Sequence, residues 1–480
     1  MSLKIYNSLT RQKEEFKPIQ EGRVHIYVCG PTVYDYPHIG HAKSYITFDV
    51  VVRYLRYLGY KVRYVQNITD VGHLLDSGED RILKGANREK VEPMELVERY
   101  TRAYFEAMDA LNVQRPNISP HAAAHIPEQI EMIEKLIDKG YAYVVNGSVY
   151  FDVSKWPEYG KLSGRKVEDQ QAGARVEVNP EKRHPADFAL WKRAEPEHLM
   201  QWKSPWGRGY PGWHIECSTM SIKYLGETFD IHGGGIENQF PHHECEIAQS
   251  EAATGKPFAR YWMHNNMVLV NGVKMSKSLG NFTTISQALE KYSGEQIRFF
   301  ILQTHYRSPV DFSDEALEAA GIGLQRLLTA YRNLQQALTN AAEEETSPQI
   351  KELADKVVEK FKQAMDDDFN TPAAISHLFD FAREINKIIS EDGSLSRASL
   401  ELLKTTFEQL AGDVLGVLPA EEESREIIRV APLIELLIDV RNELRRKKEW
   451  QLADKIRDEM LNAGILLEDK KEGTTWRYKM

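Results

Sequence analysis

The run Val24 to Ala42, V-H-I-Y-V-C-G-P-T-V-Y-D-Y-P-H-I-G-H-A, constrains this chain more than any other stretch. It opens with an apolar segment, Val24 to Val28, bounded by turn residues, the pattern of a strand buried in a parallel sheet. Gly30 and Pro31 break that strand and Pro37 ends the loop. From Gly40, apolar residues recur at Ala42, Tyr45, Phe48, Val52 and Leu55 with the period of a helix face, until Gly59 stops it. Val62 to Ile68 reads as a second buried strand. Residues 24–68 therefore have the length and order of one βαβ unit with a right-handed crossover, which sets the fold class as α/β with a parallel sheet.

Ligands of such a unit sit at the carboxyl ends of the strands, where the free N–H groups and dipole of the following helix favour phosphate. His38-Ile39-Gly40-His41 occupies that spot, with Cys29 at the tip of the preceding strand. Gly40 lets a nucleotide approach, and the flanking imidazoles are donors whose charge follows the phosphates they meet. An isolated H-x-G-H is a weak signal, equally compatible with a packed helix start.

A length of 480 residues suggests about three domains. With 42% hydrophobic and 28% charged residues, the composition is that of a globular protein. No apolar leader core and no run of membrane-spanning length is found, so a cytoplasmic location with no membrane partner is expected. The three cysteines, Cys29, Cys217 and Cys245, are too few for a disulfide scaffold. A formal net charge of −10 gives no global attraction for nucleic acid, so any polyanion must be met by local patches.

Further along, periodicity predicts helices over Pro93 to Leu111 and Ala124 to Lys139, then short strands from Ala142 to Asp152 inside a segment to about Lys203 that reads as an insertion or a separate small domain. Val268 to Val273 predicts a strand and turn around Asn271-Gly272, and Lys274-Met275-Ser276-Lys277-Ser278 makes a cationic loop suited to a polyphosphate or simply a solvated one. Asp314 to Leu418 is helical apart from a loop at Ala341 to Ser347. Asp366-Asp367-Asp368-Phe369-Asn370-Thr371-Pro372 is either an acidic metal cluster or a helix cap, and the cap is preferred. Glu421 to Glu423 suggests a linker before one or two amphipathic helices over Leu433 to Leu461. Arg441, Arg445, Arg446, Lys447 and Lys448 there form a solvated face or a phosphate-contacting one.

Imidazole, thiol and carboxylate return in P-G-W-H-I-E-C (Pro211 to Cys217), F-D-I-H-G-G-G (Phe229 to Gly235) and P-H-H-E-C-E (Pro241 to Glu246). These are zinc ligand types, and His242 and Glu246 share one helix face at i, i+4. The spacing matches no regular zinc pattern, and isolated cysteines are commonly small buried hydrophobes, the reading preferred for Cys245.

Together, H-I-G-H on a first βα turn and K-M-S-K-S far downstream resemble the class I aminoacyl-tRNA synthetases, and C-G-P-T-V-Y-D, G-W-H-I-E-C, D-I-H-G-G-G and F-P-H-H-E-x-E-I-A-Q-S-E resemble the cysteinyl-tRNA synthetase family in particular, over essentially the whole chain. The resemblance implies a Rossmann-like catalytic domain in two halves (1–118 and 204–262) around a connective insertion (119–203), a loop and stem-contact region (263–325), a helical bundle (326–418) and a small anticodon-binding domain (419–480). It implies a cytoplasmic monomer that activates cysteine with ATP and Mg2+ and esterifies cysteine tRNA. One zinc would be held by Cys29, Cys217, His242 and Glu246. His38, His41 and Lys277 would be catalytic, ATP would meet those three with Gly40, Gly234, Glu237 and Lys274, and cysteine would meet Gly30, Thr32, Thr69, Trp213 and His232. Cys245 beside Glu246, Glu237 in place of the family's common aspartate, and Val71-Gly72-His73-Leu74 in place of a more acidic loop are departures. The rivals are a cysteine ligase of thiol biosynthesis, which lacks a full anticodon-reading tail, a simpler nucleotidyltransferase, and a non-catalytic scaffold descended from a synthetase.

Overall fold

The computed structural model describes residues 2–73, 80–165, 180–275, 279–339, 341, 345–391, 395–419, 421–470 and 473–478. At its centre is a four-stranded parallel sheet in the order Ala259–Asn265, Phe229–Gly235, Arg23–Val28, Lys61–Gln66. From Arg23–Val28 the chain moves outward through the helix Ile39–Tyr57 to Lys61–Gln66, and only much later returns to the other side. The order therefore reverses between Arg23–Val28 and Phe229–Gly235. A crevice opens there at the carboxyl ends of the strands.

Why the strands read D-I-H-G-G-G follows from packing. A Cβ at Gly233 would lie 2.3 Å from the ring of Phe48, so the first helix rests directly on the strand. Helices Trp213–Leu225 and His242–Thr254 pack against each other beside the same sheet.

The predicted insertion is a five-stranded antiparallel sheet in the order Ala142–Val145, Ser148–Phe151, Phe188–Arg193, Gly207–Pro211, Trp202–Ser204. It runs past the expected end at 203, because Trp202–Ser204 and Gly207–Pro211 are the two arms of one hairpin. Its core is continuous with Ile215 and Cys245, whose sulfur lies 3.3 Å from the Tyr159 hydroxyl. Burial pushes the Cys245 thiol well up. Cys245 is therefore a packed side chain.

Asn271 and Gly272 both have positive φ, 52° and 74°, the backbone of the tight turn that joins Val268–Val270 to Val273–Lys274. The helical region comprises Asp314–Thr339, Pro348–Asp366, Thr371–Glu391 and Arg397–Phe407. It is tied to the sheet domain by buried charge. Arg298 bonds Asp49 of the first helix and donates to the carbonyl of Leu415 at 2.6 Å, while Arg53 reaches Asp49 at 2.7 Å.

At the acidic run the cap is present: Asn370 Oδ1 accepts from Ala373 N at 3.2 Å. Each aspartate has its own partner, Asp366 with Lys362, Asp367 with Lys13, and buried Asp368 with Arg307, the Tyr306 hydroxyl and the backbone N of Tyr6. Asn370→Ala should cost about 1 kcal/mol. Urea unfolding checks this, and an unchanged midpoint would remove the cap from the account.

The acidic stretch read as a linker is instead the start of a helix, Glu421–Arg446, followed by Trp450–Asn462 and the hairpin Ile465–Lys470 with Gly473–Tyr478. This unit has a small core of its own around Ile434, Ile438, Met460 and Ile465. Arg441, expected on a solvated or phosphate-contacting face, is buried and grips Asp469 with two bonds of 3.0 and 2.9 Å, and Arg445 joins the same carboxylate at 2.7 Å. Both are engaged by the one carboxylate of Asp469, where the hairpin meets the helix.

Candidate active site and metal centre

The crevice at the strand ends is a cleft of about 520 Å³. Its floor is set by Cys29 N donating to Gly233 O at 3.1 Å, which joins the tips of the two central strands. His38 stands just before the first helix and His41 in its first turn, their rings stacked 3.8 Å apart. The His38 backbone N donates to His41 Nδ1 at 3.1 Å, which fixes the His41 tautomer and leaves its Nε2–H as the donor. Gly40, Gly234, Glu237 and Lys274 line the same cleft, as do Gly30, Thr32, Thr69 and Trp213. Residues far apart in sequence thus meet at one place.

The segment after the cationic loop is fastened to the helix start. Ile39 N donates to Thr283 O at 3.2 Å and Ile285 N to Pro37 O at 2.9 Å. Met275 and Phe282, which flank the loop in sequence, both line the cleft. Lys277 itself lies outside the described residues, as does Leu74 of the Val71-Gly72-His73-Leu74 departure.

Behind the cleft is a buried donor cluster. Cys29 Sγ is 3.9 Å from Cys217 Sγ and 3.5 Å from Glu246 Oε1, and His242 Nε2 is 3.0 Å from Glu246 Oε1. Tetrahedral zinc, with bonds of about 2.0–2.3 Å, spaces its ligand atoms roughly 3.3–3.8 Å apart. The four side chains, their ligand atoms all within 4.8 Å of one another, could hold that ion after shifts of a few tenths of an ångström. A second set, Cys29, His232, His243 and Glu246, also converges. Cys217 and His242 face the cleft, whereas His232 and His243 do not line it.

His232 was expected to touch the amino acid. It is instead fully buried, stacked on Trp262 at 4.4 Å, with Nε2 2.8 Å from Glu246 Oε2. Its geometry is that of a group that orients a ligand carboxylate. His243, which the sequence reading passed over, lies 3.2 Å from Cys29 Sγ, and its other nitrogen is 2.9 Å from His264, itself 2.8 Å from the Ser8 hydroxyl. The adjacent histidines in P-H-H-E were the available signal: on a helix they point about 100° apart, and here His242 joins Cys217 while His243 joins His232 around the shared Cys29 and Glu246.

The protonation of the cluster shows its affinity for positive charge. Burial pushes Cys29 well up, and the Cys217 sulfur adds to this. Burial would raise Cys217 too, but hydrogen bonds with Cys29 and His242 bring it down to about 6. Burial opposes a charged His242, yet Glu246 holds it up at about 10. Despite burial, His232 and His242 keep Glu246 well below the carboxylate range. Thiolate, carboxylate and imidazolium thus stand together, and a divalent cation can replace the protons they share.

Comparison with known proteins agrees with this geometry. A family model described as tRNA synthetases class I (C) catalytic domain matches residues 15–321, and one described as DALR domain matches residues 360–419. A Chlorobaculum tepidum protein named "Cysteine--tRNA ligase" is 53% identical over 492 residues, covering 100% of this chain and 99% of that one. The chain belongs to the cysteine--tRNA ligase family. It is a class I aminoacyl-tRNA synthetase, which sets aside the scaffold and simple nucleotidyltransferase readings. A Thermus thermophilus relative of the same name is 52% identical, with 100% of both chains covered. Among solved structures, Mycobacterium tuberculosis methionyl-tRNA synthetase in complex with methionyl-adenylate shares the fold, at a TM-score of 0.56 and 18% identity, over 82% of this chain and 89% of that one. Among the described residues of the synthetase, no helix is long and apolar enough to cross a membrane.

Proposed function

We propose that this synthetase activates L-cysteine with ATP to cysteinyl adenylate and transfers it to the 3′ end of cysteine tRNA, with zinc selecting the thiol. The observation that carries this reading is the position of Cys29, Cys217 and His242 on the wall of the cleft that holds His38 and His41. Amino acid and nucleotide must lie side by side for a carboxylate to attack the α-phosphate. In that arrangement His38 and the Nε2–H of His41 meet the phosphates of Mg2+-bound ATP at a helix N-terminus. Gly234 and Glu237 serve the nucleoside, while Gly30, Thr32, Thr69 and Trp213 enclose the amino acid. Lys274 and Lys277 offset charge on the departing pyrophosphate.

Serine is the competitor to exclude. It differs from cysteine by one atom, and a pocket of fixed shape rejects a near-isostere by only about a hundredfold. Zinc, held by Cys29, Cys217, His242 and Glu246, would supply a position that takes a thiolate strongly and an aliphatic hydroxyl poorly.

Cysteine-dependent ATP–pyrophosphate exchange, followed by tRNA acylation with serine as competitor, tests the whole reading. Exchange without acylation of any tRNA would favour the thiol-biosynthesis ligase.

The terminal unit has its own core, and every cleft residue precedes it. Truncation after Pro419 should therefore preserve pyrophosphate exchange and weaken tRNA charging by about tenfold or more, with a shallower salt dependence. With Arg441 and Arg445 engaged by Asp469, the phosphate contacts proposed for this unit rest on Arg446 and Lys448. Equal charging by truncated and intact protein would assign the tail another role.

A further inference from the structure

His73, in the V-G-H departure that follows the strand Lys61–Gln66, is the outer ring of a three-ring stack. Its imidazole lies 4.0 Å from the Trp213 ring at an interplanar angle of 10°. Trp213 lies in turn 4.1 Å from the ring of His242, at 30°. The indole is held between two imidazoles, and the inner one belongs to the metal cluster.

The backbone around His73 is built for this placement. Its Nδ1 is 2.6 Å from the Thr32 hydroxyl, and its carbonyl accepts from Arg81 N at 3.0 Å. Gly72 N donates to Asp80 Oδ2 at 2.9 Å, and the other oxygen of Asp80 caps the helix Arg81–Glu89. Gly72 has φ +79°, and a Cβ there would fall 2.7 Å from Pro211 O, immediately before the helix that carries Trp213. Thr32 is itself bridged to Thr69. The contacts fix the imidazole from the side chain, from the carbonyl and from the residue before it.

We infer that His73 is a positioning residue for amino-acid selection: it holds Trp213 flat against His242, so that the pocket wall and a metal-binding imidazole are set before the amino acid arrives. This rests on the cleft being the cysteine site. An indole stacked on one side only has other staggered rotamers open to it, and each takes a share of the molecules out of the binding-competent form. Apparent affinity falls in proportion to the competent fraction. The effect should fall on the amino acid and the metal and spare ATP, because His38, His41 and Gly234 are carried by other elements.

Full-length, zinc-loaded wild type, His73→Ala, His73→Asn and His73→Phe are compared by calorimetric cysteine binding, by the KM for cysteine and for ATP in pyrophosphate exchange, and by the rate of zinc release to a chromogenic chelator. Loss of one stacked ring should raise the cysteine Kd and KM about tenfold in the Ala and Asn variants. In the same variants kcat and the ATP KM should stay within about twofold, and zinc should leave faster. Phe keeps the ring without the Thr32 bond and should restore most of the affinity and zinc retention. An unchanged cysteine KM in His73→Ala, or rescue by Asn as complete as by Phe, would overturn the inference. Wild type without cysteine-dependent exchange would overturn the functional reading and this inference together, whereas normal wild-type exchange beside an unaffected His73→Ala overturns the inference alone.

Discussion

Cys217→Ser should release zinc to a chelator at least about 100-fold more readily than wild type and raise the KM for cysteine far more than that for ATP. The Cys217 thiol, held at about 6, is ready to be a thiolate at neutral pH, whereas a serine hydroxyl stays protonated and binds zinc poorly. Cys217 also lies on the cleft wall, so its loss acts where the amino acid binds. A purely structural ion would be saturated by its four protein ligands, whereas one on the cleft wall with the same four must expand to five-coordinate to take the substrate sulfur. Cobalt replacement separates the two cases. Adding cysteine should change the sulfur-to-cobalt charge-transfer absorption, and adding serine should not. An unchanged spectrum at saturating cysteine, with activity intact, would return the ion to a structural role.

The catalytic core was readable from sequence because its signals are local. One apolar run, one broken turn and one helical period predicted the βαβ unit, and the strands Arg23–Val28 and Lys61–Gln66 with the helix Ile39–Tyr57 bear it out. The convergence of Cys29, Cys217, His242 and Glu246 is a tertiary fact that spacing alone left open, and only the resemblance pointed to it. The misplacements have a common origin in side chains whose partners lie far away in sequence. Nothing near Arg441 announces that Asp469 will fold back onto it. Nothing within D-I-H-G-G-G tells whether His232 faces substrate or, as found, the far oxygen of Glu246. The insertion's end was set too early because the strand Gly207–Pro211, rich in glycine, carries little strand propensity until Phe188–Arg193 and Trp202–Ser204 pair with it. His73 stood out only as part of a departure from the family's more acidic loop, since a single imidazole after a strand acquires meaning only from the indole it covers.

Lys277→Ala should slow single-turnover formation of cysteinyl adenylate by about 10²–10³-fold while leaving cysteine binding nearly unchanged. In sequence it lies between Met275 and Phe282, two residues that line the cleft, on a segment whose far end is fastened to the H-I-G-H turn through Ile39 and Thr283. An attack at the α-phosphate requires little covalent help from protein, so charge placed against the departing pyrophosphate is the main resource available. Such a group contributes where charge develops and adds little to the ground state, so the loss should appear in kcat and not in cysteine affinity. Lys274→Ala is the useful control, because it removes equal charge from a neighbouring cleft position. If any lysine near the cleft sufficed, the two variants would fall together. If the charge must be delivered at one point, Lys277→Ala should be the slower by at least about tenfold, and Lys277→Arg should recover only part of the rate, since a planar guanidinium spreads its charge over a fork that an ammonium concentrates. Near-normal adenylate formation in Lys277→Ala would remove this residue from the mechanism and leave His38, His41 and Mg2+ to stabilise the leaving group.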